Sequence, residues 1–484
     1  MIKNKTKNLE KIIRLCWICI LIFLGMYSCA PTRTVRNENK EVPLDFRNRK
    51  KDTVNIVDIN WKDYFSDKNL VLLIDSALNN NQELKIMVQE LGIAKNEIQA
   101  KKGEYLPFVG FYAGADLGKV GEYTRNGAVE KNLNVYENEK FPEPLANYKI
   151  GLSASWELDI WKKLRNGKKA AVLAYLATIE GKNFMTTNLV SEIANSYYEL
   201  IALDNKLVIL EQNLKLKANA QRMVNLQKKY ARVTQLAVRR FDAEVYKNKS
   251  NKYRIEQKII ETENKINFLL GRYPQSIARN SKNFIDKTIA SVAVGVPSEL
   301  LGNRPDIRKS ELELSVLKLN TKIARANFYP SISIDADIGL EVFKPEYLLN
   351  VPQSLLYSLG ADIAAPLINR KAIKTTYYNA TNRQLQAVYE YEKTILNAFI
   401  EVSNELSNIE NLKASYKLKK QQVQALTESI DLSIRLFKSA RAEYTEVLFT
   451  QREALDSRIE IIETKKEQLL ASVKVYKALG GGWK

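Results

Sequence analysis

Four segments of the chain alternate between apolar and polar or small side chains. Residues 331–342 set Ile332, Ile334, Ala336, Ile338, Leu340 and Val342 against Ser331, Ser333, Asp335, Asp337, Gly339 and Glu341. Residues 152–160 set Leu152, Ala154, Trp156, Leu158 and Ile160 against Ser153, Ser155, Glu157 and Asp159. In 108–118, Phe111, Ala113, Ala115 and Leu117 oppose Tyr112, Gly114 and Asp116. In 356–366, Tyr357, Leu359, Ala361 and Ile363 oppose Ser358, Gly360 and Asp362. A period of two predicts strands. A soluble, half-buried sheet accounts for this pattern. An outer-membrane barrel with its apolar face toward lipid accounts for it equally.

The rest of the chain has a helical period. No proline lies between Pro144 and Pro274 or after Pro366, and an interior proline costs a helix about 3 kcal/mol. Lys162 to Lys229 and Arg370 to Lys438 therefore read as single helices. At 1.5 Å per residue each extends roughly 100 Å, too long for an ordinary compact domain without a partner helix. Two partners follow. In 234–270 a three-four spacing selects Val238, Phe241, Val245, Asn248, Lys252, Ile255, Ile259, Thr262, Ile266 and Leu269. In 443–479 it selects Leu455, Ile459, Ile462, Lys466, Leu469, Val473 and Tyr476. These read as coiled-coil seams with polar interruptions.

The elements repeat. Leu106-Pro107 and Tyr329-Pro330, 223 residues apart, each open a strand pair, and Gly151 in the second strand answers Gly360 in the fourth. Each half reads helix, strand, strand, long helix, turn, helix. Four strands cannot close a barrel, and open sheet edges cannot face lipid. Several chains must then pool their strands, and three copies would supply twelve, within the range of such barrels.

The amino terminus changes the picture. Lys3, Lys5, Lys7, Lys11 and Arg14 precede an apolar run from Leu15 to Met26, and Ser28-Cys29 follows. That run is short for a span of about 20 residues. It reads as a secretory signal cleaved before a cysteine, with an uncleaved anchor as the alternative. Cys16, Cys19 and Cys29 are the three cysteines, so a mature chain beginning at a lipidated Cys29 has no internal disulfide. The whole chain carries 74 Lys and Arg against 55 Asp and Glu, or +19. Loss of residues 1–28 leaves +15. With no histidine, His-based triads and His metal sites are excluded. No nucleophile–base pair or metal-ligand cluster stands out, and no cofactor is expected.

Several segments carry a resemblance. They are Trp61-Lys62-Asp63-Tyr64-Phe65-Ser66-Asp67, Ser155-Trp156-Glu157-Leu158-Asp159, Arg304-Pro305-Asp306-Ile307-Arg308, Phe328-Tyr329-Pro330-Ser331, and Tyr476-Lys477-Ala478-Leu479-Gly480-Gly481-Gly482-Trp483. In this order, on a matching repeat, the chain resembles the TolC-like outer-membrane efflux channels of the lipoprotein branch. The resemblance implies an α+β membrane protein. A trimeric, 12-stranded composite β-barrel in the outer membrane would continue as a long periplasmic α-helical coiled-coil barrel. It would conduct drugs or other toxic compounds passively as the outer component of a tripartite pump, performing no chemistry. Implied partners are two further copies, a periplasmic adaptor (membrane fusion protein), an inner-membrane transporter and outer-membrane lipid, with no nucleic acid. The expected organisation is a signal over 1–28, a lipidated tether over 29–60, and repeats over 61–296 and 297–484.

In that family the helix-to-helix turns, here near 230–238 and 439–447, form the periplasmic tip. Arg232 and Arg441 stand where the family usually has glycine, and Ala237-Val238 and Glu446-Val447 where it has Asp-Val. A trimer would repeat Glu446 around the axis as a carboxylate ring able to select cations, and Phe449 would add an apolar constriction. A solvated Glu446 and a seam position for Phe449 are the plain alternatives. Asp116, Glu157, Asp159, Asp335, Asp337 and Asp362 are candidate pore-lining acids, although acids on a solvated strand need no function. Pro305 and Asp306 suit a helix start. The competing class is a basic coiled-coil interaction or nucleic-acid-binding protein. It explains the charge and the helices but neither the export signal nor the paired strands.

Overall fold

A computed structural model of the chain describes residues 31–46, 59–136, 139–231, 233–282, 284–287, 295–366, 368, 370–439 and 441–483. Cys29, its signal and Arg232 lie outside the described residues. The main elements are α1 (Lys68–Asn80), α2 (Gln82–Gly103), β1 (Phe108–Gly118), β2 (Leu145–Leu158), α3 (Lys163–Lys229) and α4 (Gln235–Leu269). The second run is α5 (Pro305–Ala326), β3 (Ser331–Val342), β4 (Leu355–Ala364), α6 (Lys371–Lys438) and α7 (Tyr444–Ala478). Each proline-free stretch thus contains one very long helix, of 67 and 68 residues. No helix among the described residues is long and apolar enough to cross a membrane.

Contacts divide the chain into two units. The first takes residues 1–37, 93–175 and 312–388, and the second 38–92, 176–311 and 389–484. The first unit holds a four-stranded antiparallel sheet in the order β1-β2-β3-β4. Its central pair runs in register from Tyr148 opposite Val342 to Leu158 opposite Ile332. β2 begins seven residues before the alternation singled out from the sequence, because Ala146, Tyr148 and Ile150 extend the apolar side with weaker contrast. Where β2 ends, Trp161 stacks on Tyr329 at 4.6 Å and donates its indole N–H to the Pro330 carbonyl at 2.7 Å. The end of one repeat's strand pair is thereby fixed to the start of the other's.

The second unit is helical. Its core includes Leu70 and Ile74 of α1, Ile193, Tyr197 and Leu200 of α3, and Ile266 of α4, each essentially without solvent contact. Asp67 caps α1, its carboxylate accepting from the Asn69 amide at 3.1 Å. Thr234 caps α4. On α4 the two ends of the expected seam are buried, Val238, Phe241, Val245 and Asn248 at one end and Ile266 and Leu269 at the other, while Lys252, Ile255, Ile259 and Thr262 between them are half-buried. On α7 the seam is only part of what is covered. From Ile461 onward, Thr464, Lys465, Gln468, Ala471 and Ser472 are buried beside Ile462, Lys466, Leu469, Val473 and Tyr476, so this half of the helix is enclosed on nearly every side. The Lys466 ammonium fits there because Glu199, at 2.8 Å, and Glu463 both reach it.

Candidate functional site

The sheet separates its side chains by face. Strand pairing puts Val109, Phe111, Ala113, Ala115 and Leu117 of β1 on the same side as Tyr148, Ile150, Leu152, Ala154 and Trp156 of β2. Ile332, Ile334, Ala336, Ile338 and Leu340 of β3 join them, with Tyr357, Leu359, Ala361 and Ile363 of β4. Many of these are open to the surroundings; Phe111, Leu117, Tyr357, Leu359 and Ile363 are 68% to 79% exposed. A contiguous apolar face left open in this way marks a surface that meets lipid or another protein.

The opposite face, away from the strand ends, is polar. Asp116, Glu157, Asp335, Asp337 and Asp362 all lie on it. Sequence reasoning passed over Glu341, which shares the parity of Asp335 and Asp337 on β3 and accepts from the Asn147 amide at 2.8 Å. It also passed over Lys149, opposite Glu341, the one cation on the strand residues of this face. Ser358 donates to Asp337 at 3.1 Å and Ser333 to Asp335 at 3.4 Å. Glu157 meets Lys163 at 2.5 Å.

Asp159 is set apart from these five. It lies beyond the end of β2, and its side chain is almost wholly buried. Its two oxygens accept from the amides of Leu164 and Arg165, each at 2.9 Å, and the Arg165 guanidinium lies 3.1 Å away. Unpaired amides at the start of a helix attract such a carboxylate, so Asp159 serves the start of α3 rather than the open polar face.

At the first helix-to-helix turn, Ala231 carries the left-handed conformation, with φ of 57°. At the second, the Arg441 amide donates to the Leu436 carbonyl at 2.9 Å, closing the end of α6. Val224, Ala237, Val238 and Phe241 form a small core here, joined by Tyr444 and Leu448 from α7. Glu446 and Arg441 are exposed. Phe449 is 62% exposed and Val447 is buried, so in the single chain the seam position belongs to Val447.

Motifs distant in sequence meet in space. The buried Arg304 donates to both oxygens of Asp306, to Glu401 at 2.8 Å and to the Ala478 carbonyl at 2.6 Å. Beside it, Gly480 has φ of 96°, and a Cβ there would lie 2.5 Å from the Asn303 carbonyl oxygen. Tyr64 stacks on Tyr476 at 4.2 Å and donates to the Ser472 carbonyl at 2.9 Å. The Trp61–Asp67, Arg304–Arg308 and Tyr476–Trp483 segments are therefore braces of one helical unit.

A sequence profile described as "Outer membrane efflux protein" matches residues 73–272 and again 296–481. The chain belongs to this outer membrane efflux protein family. Its two-part match covers the two successive runs of elements described above. Among curated relatives, the pyoverdine export outer membrane protein OpmQ of Pseudomonas aeruginosa is 26% identical over 430 residues, 87% of each chain. The probable outer membrane lipoprotein SilC of Salmonella typhimurium is 25% identical over 470 residues, 96% of this chain and 97% of that one. The open-state MtrE outer membrane channel of Neisseria gonorrhoeae has the same fold, with a TM-score of 0.80 and 23% identity over 94% of this chain and 99% of that one. The efflux family accounts for the paired strands that a basic coiled-coil interaction protein leaves unexplained. None of these relatives is by name an enzyme.

Proposed function

We propose that this outer membrane efflux protein works as a homotrimer. Its three sheets would close into one twelve-stranded barrel, and its long helices would continue the conduit through the periplasm. The observation that carries this reading is a four-stranded sheet with an apolar face, a polar face and unpaired outer edges on β1 and β4. Lipid accepts no open edge. Strands of 11, 14, 12 and 10 residues are long enough for the tilted span of about 9–11 residues. The apolar face would meet lipid, and Asp116, Asp335, Asp337, Asp362 and Glu341 would face the lumen.

In this reading Cys29 carries the acyl anchor. The turns bearing Arg232, Arg441, Glu446 and Phe449 form the periplasmic tip, where an adaptor linked to an inner-membrane transporter docks. Export of drugs or other toxic compounds is then conduction without chemistry in this chain.

The test is the mass of the mature protein extracted from outer membranes in mild detergent. Three chain masses after correction for detergent, collapsing to one on boiling, are expected. A detergent-free monomer or dimer in the soluble fraction would overturn the reading.

A further inference from the structure

A cleft of about 200 Å³ lies between α3, α4 and α7, within the helical unit. Its walls combine an apolar floor, including Leu210, Ile255 and Leu455, with an excess of positive charge. Six cations line it: Lys206 and Lys217 from α3, Lys247, Arg254 and Lys258 from α4, and Arg452 from α7. Two carboxylates, Glu244 and Asp456, face them.

The carboxylates are already committed. Glu244 receives the Lys217 ammonium at 2.6 Å, and Asp456 lies 3.9 Å from Arg452 on its own helix. Burial by itself would raise the Glu244 carboxyl, but the hydrogen bond and charge of Lys217, with smaller contributions from the charges of Lys247 and Arg452, outweigh it and hold the group low. Lys206 is taken by Glu463. The Lys217 side chain is 1% exposed, and a buried ammonium is costly unless its surroundings supply negative charge.

That leaves Lys247, Arg254 and Lys258. No carboxylate forms an ion pair with any of them among the described residues. They stand at i, i+7 and i+11, so one stripe of α4 presents them to the cleft. The cavity far exceeds the roughly 15 Å³ that a single water needs. Lys247, Arg254 and Lys258 are exposed along the mouth of the cleft, where like charges on one stripe repel one another and a monovalent ion cannot neutralise them together. An oxyanion with several acceptor oxygens can, and a guanidinium grips such a group through two parallel hydrogen bonds.

We propose that this cleft is a binding site for a small multivalent oxyanion of phosphate or diphosphate size. It would be held chiefly by Lys247, Arg254 and Lys258 above the Lys217–Glu244 pair. Such an anion would join α4 to α3 across their hairpin. The site is distinct from the sheet and from the helix turns.

The experiment is calorimetric titration of the purified full-length protein in detergent with sodium phosphate and sodium diphosphate. Sodium chloride at matched ionic strength is the reference. Saturable binding of the two oxyanions is expected, with none for chloride. The triple variant K247Q/R254Q/K258Q should lose at least tenfold in affinity, roughly the 1.4 kcal/mol of one decade. Lys249→Gln, an exposed cation on the same helix that does not line the cleft, should bind as the parent does. Should the triple variant fail to fold, Arg254→Gln alone should still weaken binding about threefold. Absence of oxyanion binding, or equal binding by parent and cleft variants, would overturn the proposal.

Discussion

Gly151 and Gly339 sit directly opposite one another across the central strand pair, with the Tyr112 phenol lying over both. A Cβ on Gly151 would come within 2.5 Å of the Ile338 carbonyl oxygen and 2.8 Å of the Gly339 Cα. The reciprocal Cβ on Gly339 would meet the Ile150 carbonyl oxygen at 2.5 Å. These neighbours are backbone and cannot turn aside. Gly151→Val or Gly339→Val is therefore expected to destabilise the sheet by about 1–3 kcal/mol, read as a lower dissociation temperature of the assembled protein on a semi-native gel. Gly360→Ala, whose Cβ meets nothing within 4 Å, should leave that temperature unchanged.

The acids of the polar face carry a prediction about ions. Asp335, Asp337 and Asp362 have no cation opposite them in the strand register. If they line a lumen, as proposed above, they would concentrate cations in it. In planar bilayers under a potassium chloride gradient the protein should be cation-selective. Replacing the three aspartates by asparagine should lower the potassium-to-chloride permeability ratio by roughly a factor of three. A ratio that the triple variant leaves unmoved would place these acids away from the conducting path.

Arg304 joins the start of α5 to the end of α7 through Asp306, Glu401 and the Ala478 carbonyl. Lysine keeps the charge but cannot span these partners with a planar fork. Arg304→Lys should cost about 2 kcal/mol. Arg304→Met, which strands the half-buried Asp306, should cost more, about 3 kcal/mol. Thermal unfolding followed by circular dichroism at 222 nm ranks the two.

Asp67 gives the helical unit a pH dependence. Burial alone would raise its carboxyl, but the Lys287 ammonium, 2.7 Å away, donates to it and holds it below the ordinary value. A carboxyl depressed in the folded state favours folding fully above its unfolded pKa, near 4. That contribution is lost as pH falls through the folded value. Unfolding temperature should decline below about pH 4, and Lys287→Met should shrink the decline while lowering stability at neutral pH.

The strands were the most legible elements because their pattern has only two states. β1 and β3 coincide with the alternating segments, and five of the six acids fall on one face as their parity requires. Asp159 departs because parity says nothing about a residue just past the strand end, where the free amides of α3 compete for its carboxylate. The same parity pointed to Glu341. The buried half of α7 was less legible. Lys465 and Gln468 lie outside the seam that the spacing selects, and partners from a distant helix make their burial tolerable: the Tyr416 ring for Lys465 and the Leu412 carbonyl for Gln468. Ala231 at positive φ likewise carries no glycine signal in the sequence.

The unpaired outer edges of β1 and β4 also bear on inheritance. If, as proposed, every pore pools the strands of three copies, a defective copy spoils the assemblies it joins. If normal and edge-damaged chains are made in equal amounts and mix at random, only about one pore in eight is wholly normal. An edge lesion that still permits pairing on one side should therefore behave as a dominant trait. A chain truncated before β1, offering no edge to its neighbours, should be recessive.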